Sequence, residues 1–262
     1  GRDIIAAAQT GTGKTAGFAL PLIQLLSEAP EAAPNSIHAL VLVPTRELAQ
    51  QVSDTLRGYT PHIRMRVFAA YGGVSINPQM MALRRGADIL VATPGRLLDL
   101  HEKNALRLGS LRLLVLDEAD RMLDMGFLPQ AKEILSRAPD SRQLLFFTAT
   151  MPRQVESVVE EMLRDPERID LVGRERSKVH GTPEERRDLG QHLYDVDDEA
   201  KTALTVALVK DGKRRGVMVF CRTRRRAGWV AAALRRHEVR TVLIHGDRSQ
   251  RQRNEEIGRA HV

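Results

Sequence analysis

Apolar and polar positions alternate along the chain in blocks that switch between strand-like and helix-like spacing. Short, nearly continuous apolar runs are typical of buried strands, and they occupy 4–7, 39–43, 66–70, 88–91, 113–116 and 143–147. Apolar residues at helical spacing lie between them, first at Phe18, Leu22, Leu25 and Leu26, then over 47–56, 79–85, 96–100 and 130–137. Repeated strand–helix units with apolar strands predict an α/β fold, in which helices cover both faces of a parallel sheet.

The regular alternation stops after Asp170 and resumes near residue 191. Residues 173–190 are polar, rich in Arg and Glu, and contain Gly181 and Pro183, a composition typical of a linker. The second alternation predicts strands at 191–196, 217–221 and 241–245, with helices at 199–209 and 224–236. About three such units are too few for a full doubly wound domain. We therefore predict a first domain over 1–172, a linker over 173–190 and a partial second domain over 191–262.

Composition excludes several classes of protein. The chain has 262 residues, of which 42% are apolar and 28% charged, as in an ordinary globular protein. Its longest apolar runs are far too short to cross a bilayer, and no secretory signal precedes the first strand. The single cysteine excludes an internal disulfide framework, and the eight histidines lack zinc-ligand spacing. We expect a cytoplasmic protein with no membrane partner.

Positive charge is concentrated in the second part of the chain. Residues 1–173 contain 19 Lys and Arg against 20 Asp and Glu, whereas residues 174–262 contain 21 against 13. Such asymmetry indicates either a polyanionic partner for the second part or a solvated basic surface. Charge alone does not decide between the two.

A glycine-rich segment separates the first predicted strand from the first predicted helix: Ala8-Gln9-Thr10-Gly11-Thr12-Gly13-Lys14-Thr15. Strand, glycine-rich loop and helix in this order are the context of a phosphate-binding loop. Its glycines allow backbone N–H groups, together with the helix N-terminus, to attract phosphate oxygens. We expect Lys14 to reach the β and γ phosphates and the Thr15 hydroxyl to bind Mg²⁺. The general pattern has Gly at the position of Ala8, and the alternative is a turn without a ligand.

An acidic segment, Asp117-Glu118-Ala119-Asp120, directly follows the apolar strand at 113–116. The carboxyl ends of parallel strands meet at one edge of a sheet, so this segment and the phosphate loop can share one crevice. Asp117 is placed to hold Mg²⁺, and Glu118 to polarise a water for attack on the γ phosphate. A solvated acidic turn is the alternative for such a quartet taken alone.

Further short motifs occur in a fixed order: Pro44-Thr45-Arg46-Glu47-Leu48-Ala49, Gly72-Gly73, Thr93-Pro94-Gly95-Arg96, Thr148-Ala149-Thr150, Val219-Phe220-Cys221-Arg222-Thr223, and His245-Gly246-Asp247 with Gln250 and Arg253. Together with the phosphate loop and the acidic quartet, they resemble the motifs of the DEAD-box ATP-dependent RNA helicases. That family has Ala at the position of Ala8. The resemblance covers nearly the whole chain, and it implies a RecA-like parallel sheet of the P-loop NTPase type, followed by a partial second RecA-like domain.

The resemblance also implies a role for each matching residue. ATP and Mg²⁺ would be the cofactors, single-stranded or short duplex RNA the partner, and the protein a monomer. The nucleotide would be bound by Ala8, Gln9, Thr10, Gly11, Thr12, Gly13, Lys14 and Thr15, and the metal by Thr15 and Asp117. Catalysis would depend on Lys14, Asp117, Glu118, Asp120, Thr148 and Thr150, the last three coupling hydrolysis to domain closure.

RNA would be held by its backbone, because Arg provides bidentate phosphate contacts and Gly allows close approach. The matching positions are Pro44, Thr45, Arg46, Gly73, Thr93, Gly95, Arg96, Arg222, Thr223, Gln250 and Arg253. Aromatic residues are only 4% of the chain, which argues against a stacking platform for sequence readout. A DNA-directed helicase of the same superfamily and a non-catalytic RNA-binding protein are the alternatives.

The chain departs from the family at both ends. It begins after the segment that reads adenine in this family and ends before the motifs that supply the arginine finger. We expect this length of chain to bind nucleotide and hydrolyse it poorly, because an arginine finger contributes about 10³ to 10⁵ in turnover. We interpret residues 257–262 as a foreign or misread tail.

Overall fold

The computed structural model describes residues 1–8, 12–171, 192–211 and 216–247. The chain divides into two compact units, Gly1–His180 and Gly181–Val262. Several predicted features lie outside the described residues. These are the site residues Gln9, Thr10, Gly11, Gln250 and Arg253, the linker at 173–190 and the tail at 257–262.

Seven parallel strands form the sheet of the first unit, within the described residues. They are β1 (Ile4–Ala7), β2 (Ile37–Leu42), β3 (Val67–Ala70), β4 (Ala87–Ala92), β5 (Leu113–Leu116), β6 (Gln143–Thr148) and β7 (Glu167–Asp170). Their spatial order is β3-β4-β2-β5-β6-β1-β7. Every neighbouring pair is parallel, so all the carboxyl ends lie along one edge of the sheet.

Helices cover both faces of this sheet. In the first unit they are α1 (Lys14–Ser27), α2 (Arg46–Tyr59), α3 (Asn77–Leu83), α4 (Pro94–Glu102), α5 (Ala119–Asp124), α6 (Leu128–Arg137) and α7 (Arg153–Met162). Successive strand residues point to opposite faces. On β2, Val41 therefore belongs to the apolar cluster that includes α1 and α2, while Leu40 and Leu42 belong to the cluster that includes α3 to α7. All three side chains are fully buried, each stabilising the fold by about 1.5–3 kcal/mol.

The prediction of a parallel α/β sheet for the first part is confirmed. Each of the six predicted strands and four predicted inter-strand helices corresponds to an observed element, with ends that differ by a few residues. Helices α5 and α7 and strand β7 were not predicted. All four residues of β7 are exposed, so no apolar run marks this edge strand. Helix α7 does carry a signal, because Val155, Val158, Val159 and Met162 follow helical spacing and are buried.

The second unit contains α8 (Ala200–Lys210) and α9 (Arg224–Arg236), close to the predicted helices. Val206 on α8 packs with Val230 and Leu234 on α9. The predicted strands at 217–221 and 241–245 are wrong, and 192–196 is not a strand either: residues 192–211 and 216–247 contain no β-strand. A strand requires hydrogen bonds to a neighbouring strand, which an apolar run cannot specify. Met218 and Phe220 are 81% and 90% exposed.

No helix in the described part of the chain combines the length and the apolar composition needed to span a membrane.

Candidate functional site

Three neighbouring strands bring the phosphate loop, the acidic quartet and the Thr148-Ala149-Thr150 motif to one edge of the sheet. Ala8 follows β1, Asp117 follows β5, and Thr148 is the last residue of β6, which lies between them. The Ala8 N–H donates to the Thr148 carbonyl oxygen at 3.1 Å. Ala8 is buried, so the loop leaves the sheet from a fixed point.

The described end of the phosphate loop leads directly into α1. Gly13 has φ +85°, a left-handed conformation that is strained for residues with a side chain. Lys14 and Thr15 are the first two residues of α1, where the N-terminal partial positive charge favours anions. One turn later, the Phe18 ring packs against Phe147 with centroids 5.3 Å apart. This contact fixes the start of α1 against β6.

Lys14 and Asp117 interact electrostatically in a buried environment. Burial raises the pKa of the Asp117 carboxyl to about 6, and the nearby Lys14 ammonium is the main influence that opposes this rise. Asp117 is only 4% exposed, and its Oδ1 accepts from the Glu118 N–H at 3.0 Å. The Lys14 Nζ atom is also buried and has no hydrogen-bond partner among the described residues. An unpartnered buried ammonium is costly, and an anionic oxygen would satisfy it.

Glu118 connects β5 to α5 in a strained backbone conformation. Its φ of 51° and ψ of 50° are left-handed, which costs roughly 1–2 kcal/mol for a residue with a side chain. The Glu118 Oε2 lies 3.3 Å from Nη1 of Arg121. Arg121 was not predicted as a site residue, although its i+3 spacing on a helix places it beside Glu118.

Asp120 joins α5 to the end of β6. Its Oδ2 accepts from the Thr150 N–H and hydroxyl, both at 2.9 Å, and from the Ala149 N–H at 3.2 Å. The hydroxyl of Thr148 donates to the Thr150 carbonyl oxygen at 2.6 Å, and Thr148 is fully buried. The structure thus brings Asp120 into contact with Ala149 and Thr150, which lie about thirty positions later in the sequence.

The predicted RNA-binding residues of the first unit lie at the other half of the same edge. Pro44, Thr45 and Arg46 follow β2, Gly73 follows β3, and Thr93, Gly95 and Arg96 follow β4. These three strands are neighbours, and β2 is also next to β5. The nucleotide candidates therefore occupy β5-β6-β1 and the RNA candidates β3-β4-β2.

Two arginines approach the segment that follows β3. Gly73 has φ +78°, and a Cβ atom there would lie 1.8 Å from Nη1 of Arg46. Nη2 of Arg96 donates to the Val74 carbonyl oxygen at 2.8 Å. Arg96 is 8% exposed, and its buried Nη1 has no hydrogen-bond partner among the described residues. Thr45 caps α2, since its Oγ1 accepts from the Leu48 N–H at 3.3 Å.

In the second unit, the predicted residues Arg222 and Thr223 precede α9. Arg222 is exposed. Oγ1 of Thr223 accepts from the Arg226 N–H at 3.1 Å and caps the helix. Arg226 also donates to the Asp198 carbonyl oxygen at 2.7 Å, which ties α9 to the start of α8.

Residues 1–158 match the protein family described as DEAD/DEAH box helicase. The chain is 38% identical to the RNA helicase CrhR of Synechocystis over 99% of its length, and 39% identical to the DEAD-box ATP-dependent RNA helicase CshA of Streptococcus pneumoniae over 97%. It covers 50% and 46% of these relatives, so it spans about half their length. A crystal structure of a DEAD box protein from the hyperthermophile Methanococcus jannaschii superposes on all of this chain and 67% of that one, with a TM-score of 0.61 and 34% identity.

Proposed function

Because the chain belongs to the DEAD/DEAH box helicase family, we propose that the protein containing it is an ATP-dependent RNA helicase. Such an enzyme would use ATP hydrolysis to unwind or remodel RNA duplexes. The observation that carries this proposal is the buried Lys14 ammonium beside the buried Asp117 carboxyl, at the edge that also carries the RNA candidates. The relatives named as RNA helicases support RNA as the substrate.

The domain organisation is part of the proposal. Residues 1–172 would form the first RecA-like domain, 173–190 a linker, and 191–262 part of a second RecA-like domain. The division of the chain near residue 180 supports this assignment. The protein would act in the cytoplasm as a monomer.

ATP would be bound at the loop from Ala8 to Thr15. The left-handed Gly13 and the N-terminus of α1 support phosphate binding, because both direct backbone N–H groups at an anion. The Lys14 ammonium would donate to phosphate oxygens and so gain the partner it lacks among the described residues. This contact would also offset the cost of burying the ammonium.

The donor set fits Mg²⁺. Within the described residues, no three His, Cys, Asp or Glu side chains are arranged to hold a metal ion. Mg²⁺ commonly uses only one or two carboxylates together with substrate phosphates and water. Asp117 and the Thr15 hydroxyl would hold the ion, and the ion would neutralise charge on the phosphates. A cation would also favour the ionised form of a carboxyl that burial disfavours.

Glu118 would act as the general base. Its carboxylate would orient the attacking water and accept its proton. Arg121 holds one carboxylate oxygen, and the left-handed backbone fixes where the side chain starts. Asp120 on α5 is hydrogen-bonded to Thr150, which follows β6. Movement at the end of β5 or of β6 would therefore be transmitted to Glu118.

RNA would be bound mainly through its sugar–phosphate backbone. Arg46 and Arg96 supply guanidinium groups. Arg96 is buried, and its Nη1 group has no hydrogen-bond partner among the described residues. The second unit would contribute Arg222, Thr223, Gln250 and Arg253. Backbone contacts predict binding that depends strongly on salt and weakly on sequence.

The proposal is tested by ATP hydrolysis in the full-length protein, with and without single-stranded RNA. We expect RNA to stimulate hydrolysis. Glu118→Gln should lower turnover by about 10²- to 10⁴-fold, because it removes the general base, while ATP binding is retained. Glu102→Gln, at an exposed position on α4, is the matched control and should behave as wild type. Unchanged hydrolysis in Glu118→Gln would reject the assigned role.

A competition experiment separates the RNA-directed proposal from a DNA-directed one. RNA and DNA of equal sequence differ in the 2′-hydroxyl group, which proteins use to distinguish them. We expect RNA to displace a labelled RNA far better than DNA does. Equal displacement by DNA would favour a DNA-directed helicase.

A further inference from the structure

Four consecutive residues after β3, Tyr71 to Val74, form a segment that we call the 71–74 loop. Side chains from three helices hold it. Gln50 on α2 and Gln79 on α3 both contact Tyr71: Oε1 of Gln50 accepts from the Tyr71 hydroxyl at 2.8 Å, and Nε2 of Gln79 donates to its carbonyl oxygen at 3.2 Å. Arg96 on α4 donates to Val74 at the other end of the loop.

One face of α2 contacts the loop at two points. Arg46 and Gln50 are four residues apart, so their side chains lie on the same side of the helix. The Arg46 guanidinium lies against Gly73, where a Cβ would collide with it, and Gln50 holds Tyr71 two residues earlier. The distance between loop and helix at Gly73 is thus tied to the hydrogen bond at Tyr71.

Gln79 holds the loop from the opposite side. Its Oε1 is buried and has no hydrogen-bond partner among the described residues, so within them this amide bonds through its Nε2 group to Tyr71. The Tyr71 ring packs against the apolar cluster under α1 and α2. Packing and the Gln50 contact therefore hold the Tyr71 side chain, and the Gln79 contact holds the backbone that leads into Gly72 and Gly73.

We propose that Tyr71 is a positioning residue for RNA binding, acting through Gln50 and Gln79. Its hydroxyl and carbonyl set the place of Gly73 against Arg46, and therefore the surface that meets the RNA backbone. The inference rests on the proposed RNA-binding role of Gly73 and Arg46. We propose no direct contact between RNA and Tyr71, Gln50 or Gln79.

The test is RNA affinity of the full-length protein carrying Tyr71→Phe or Gln50→Met, measured with a labelled single-stranded RNA. Both changes keep side-chain volume and remove one hydrogen bond. We expect affinity to fall about three- to tenfold, the range for one lost hydrogen bond. Tyr59→Phe and Gln51→Met are matched controls on α2, since both side chains are exposed. Both controls should bind RNA as wild type does.

Two further measurements separate positioning from loss of folding. The melting temperature and the ATP affinity without RNA should match wild type in Tyr71→Phe. In an Arg46→Ala background, the effect of Tyr71→Phe should shrink, because the contact that it positions is gone. Fully additive losses, or a fall in ATP affinity equal to that for RNA, would overturn the inference.

The outcomes also distinguish this inference from the proposed function. RNA binding by wild type that is unchanged in Tyr71→Phe and Gln50→Met would overturn the positioning role and leave the helicase proposal intact. Absence of RNA binding in wild type would overturn both.

Discussion

The Asp117 carboxyl is buried at the end of a parallel strand, near one ammonium and two other carboxyl groups. Burial raises its pKa from 3.8 to about 6, and Lys14 limits the rise. Between pH 4 and pH 6 the folded chain therefore binds more protons at this group than the unfolded chain. The folded state therefore loses stability as pH rises from about 4 to about 6, and above that range Asp117 is ionised while buried.

Because ionisation of buried Asp117 destabilises the fold, we expect Asp117→Asn to be more stable than wild type when nucleotide and divalent cations are absent. An amide carries no charge, so the variant avoids the cost of ionisation above pH 6. Its free energy of unfolding should exceed that of wild type by on the order of 3 kcal/mol at pH 7.5, and the two should converge below pH 4. Urea denaturation at both pH values measures the difference. Equal stability at pH 7.5 would contradict the burial of an ionised Asp117.

At the residue scale, the sequence shows which residues belong to the candidate site better than it shows the surroundings of each side chain in the fold. Lys14 and Asp117 could be selected because a glycine-rich loop and an acidic quartet each follow an apolar strand. The raised pKa of Asp117 and the left-handed conformation of Glu118 could not be predicted from the sequence, since both depend on chain segments that are distant in sequence. Gln79 gives no local signal, because its partner Tyr71 is eight residues earlier and on a different element.

At the scale of elements, α5 depends on tertiary contacts. It has six residues, which is too short for a stable isolated helix. Ala119 and Met122 are buried against the core, and Asp120 accepts three hydrogen bonds from Ala149 and Thr150. The helix that follows Glu118 and carries Arg121 is therefore held in place by core packing and by the segment at the end of β6.

Asp120→Ala should loosen that attachment. Loss of hydrogen bonds to a charged acceptor is expected to reduce the free energy of unfolding by about 1–3 kcal/mol. Asp124→Ala, an exposed position on the same helix, is the matched control and should change stability by less than about 0.5 kcal/mol. Denaturant titration of both variants measures this difference. Similar stability in the two would show that the Asp120 contacts do not hold α5.

Apart from α7, elements of the first unit with internal signals were predicted, whereas α5 and β7, which depend on their neighbours, were not. Strands β1 to β6 carry apolar runs because both of their faces are covered. The exposed edge strand β7 has no such run. The predicted strands at 217–221 and 241–245 have the composition of strands, but a strand also needs a partner, and periodicity does not identify one.

At the scale of the whole molecule, strand order determines which motifs meet. The sequence places the Arg46 and Thr93 motifs between the phosphate loop and the acidic quartet. The sheet instead groups β5-β6-β1 at one half of the edge and β3-β4-β2 at the other. The sequence predicted a shared edge for the phosphate loop and the acidic quartet, because each follows a strand and parallel strands end together. The division into two halves required the order of strands in space.

The central claim is that Lys14 and Asp117 serve one nucleotide site, and ATP affinity with Mg²⁺ and with EDTA tests it most directly. Wild-type full-length protein should bind ATP more tightly with Mg²⁺. Asp117→Asn should remove most of that difference, Lys14→Met should weaken binding under both conditions, and the control Asp124→Asn should match wild type. An Asp117→Asn variant that keeps the full Mg²⁺ dependence of wild type would contradict the claim.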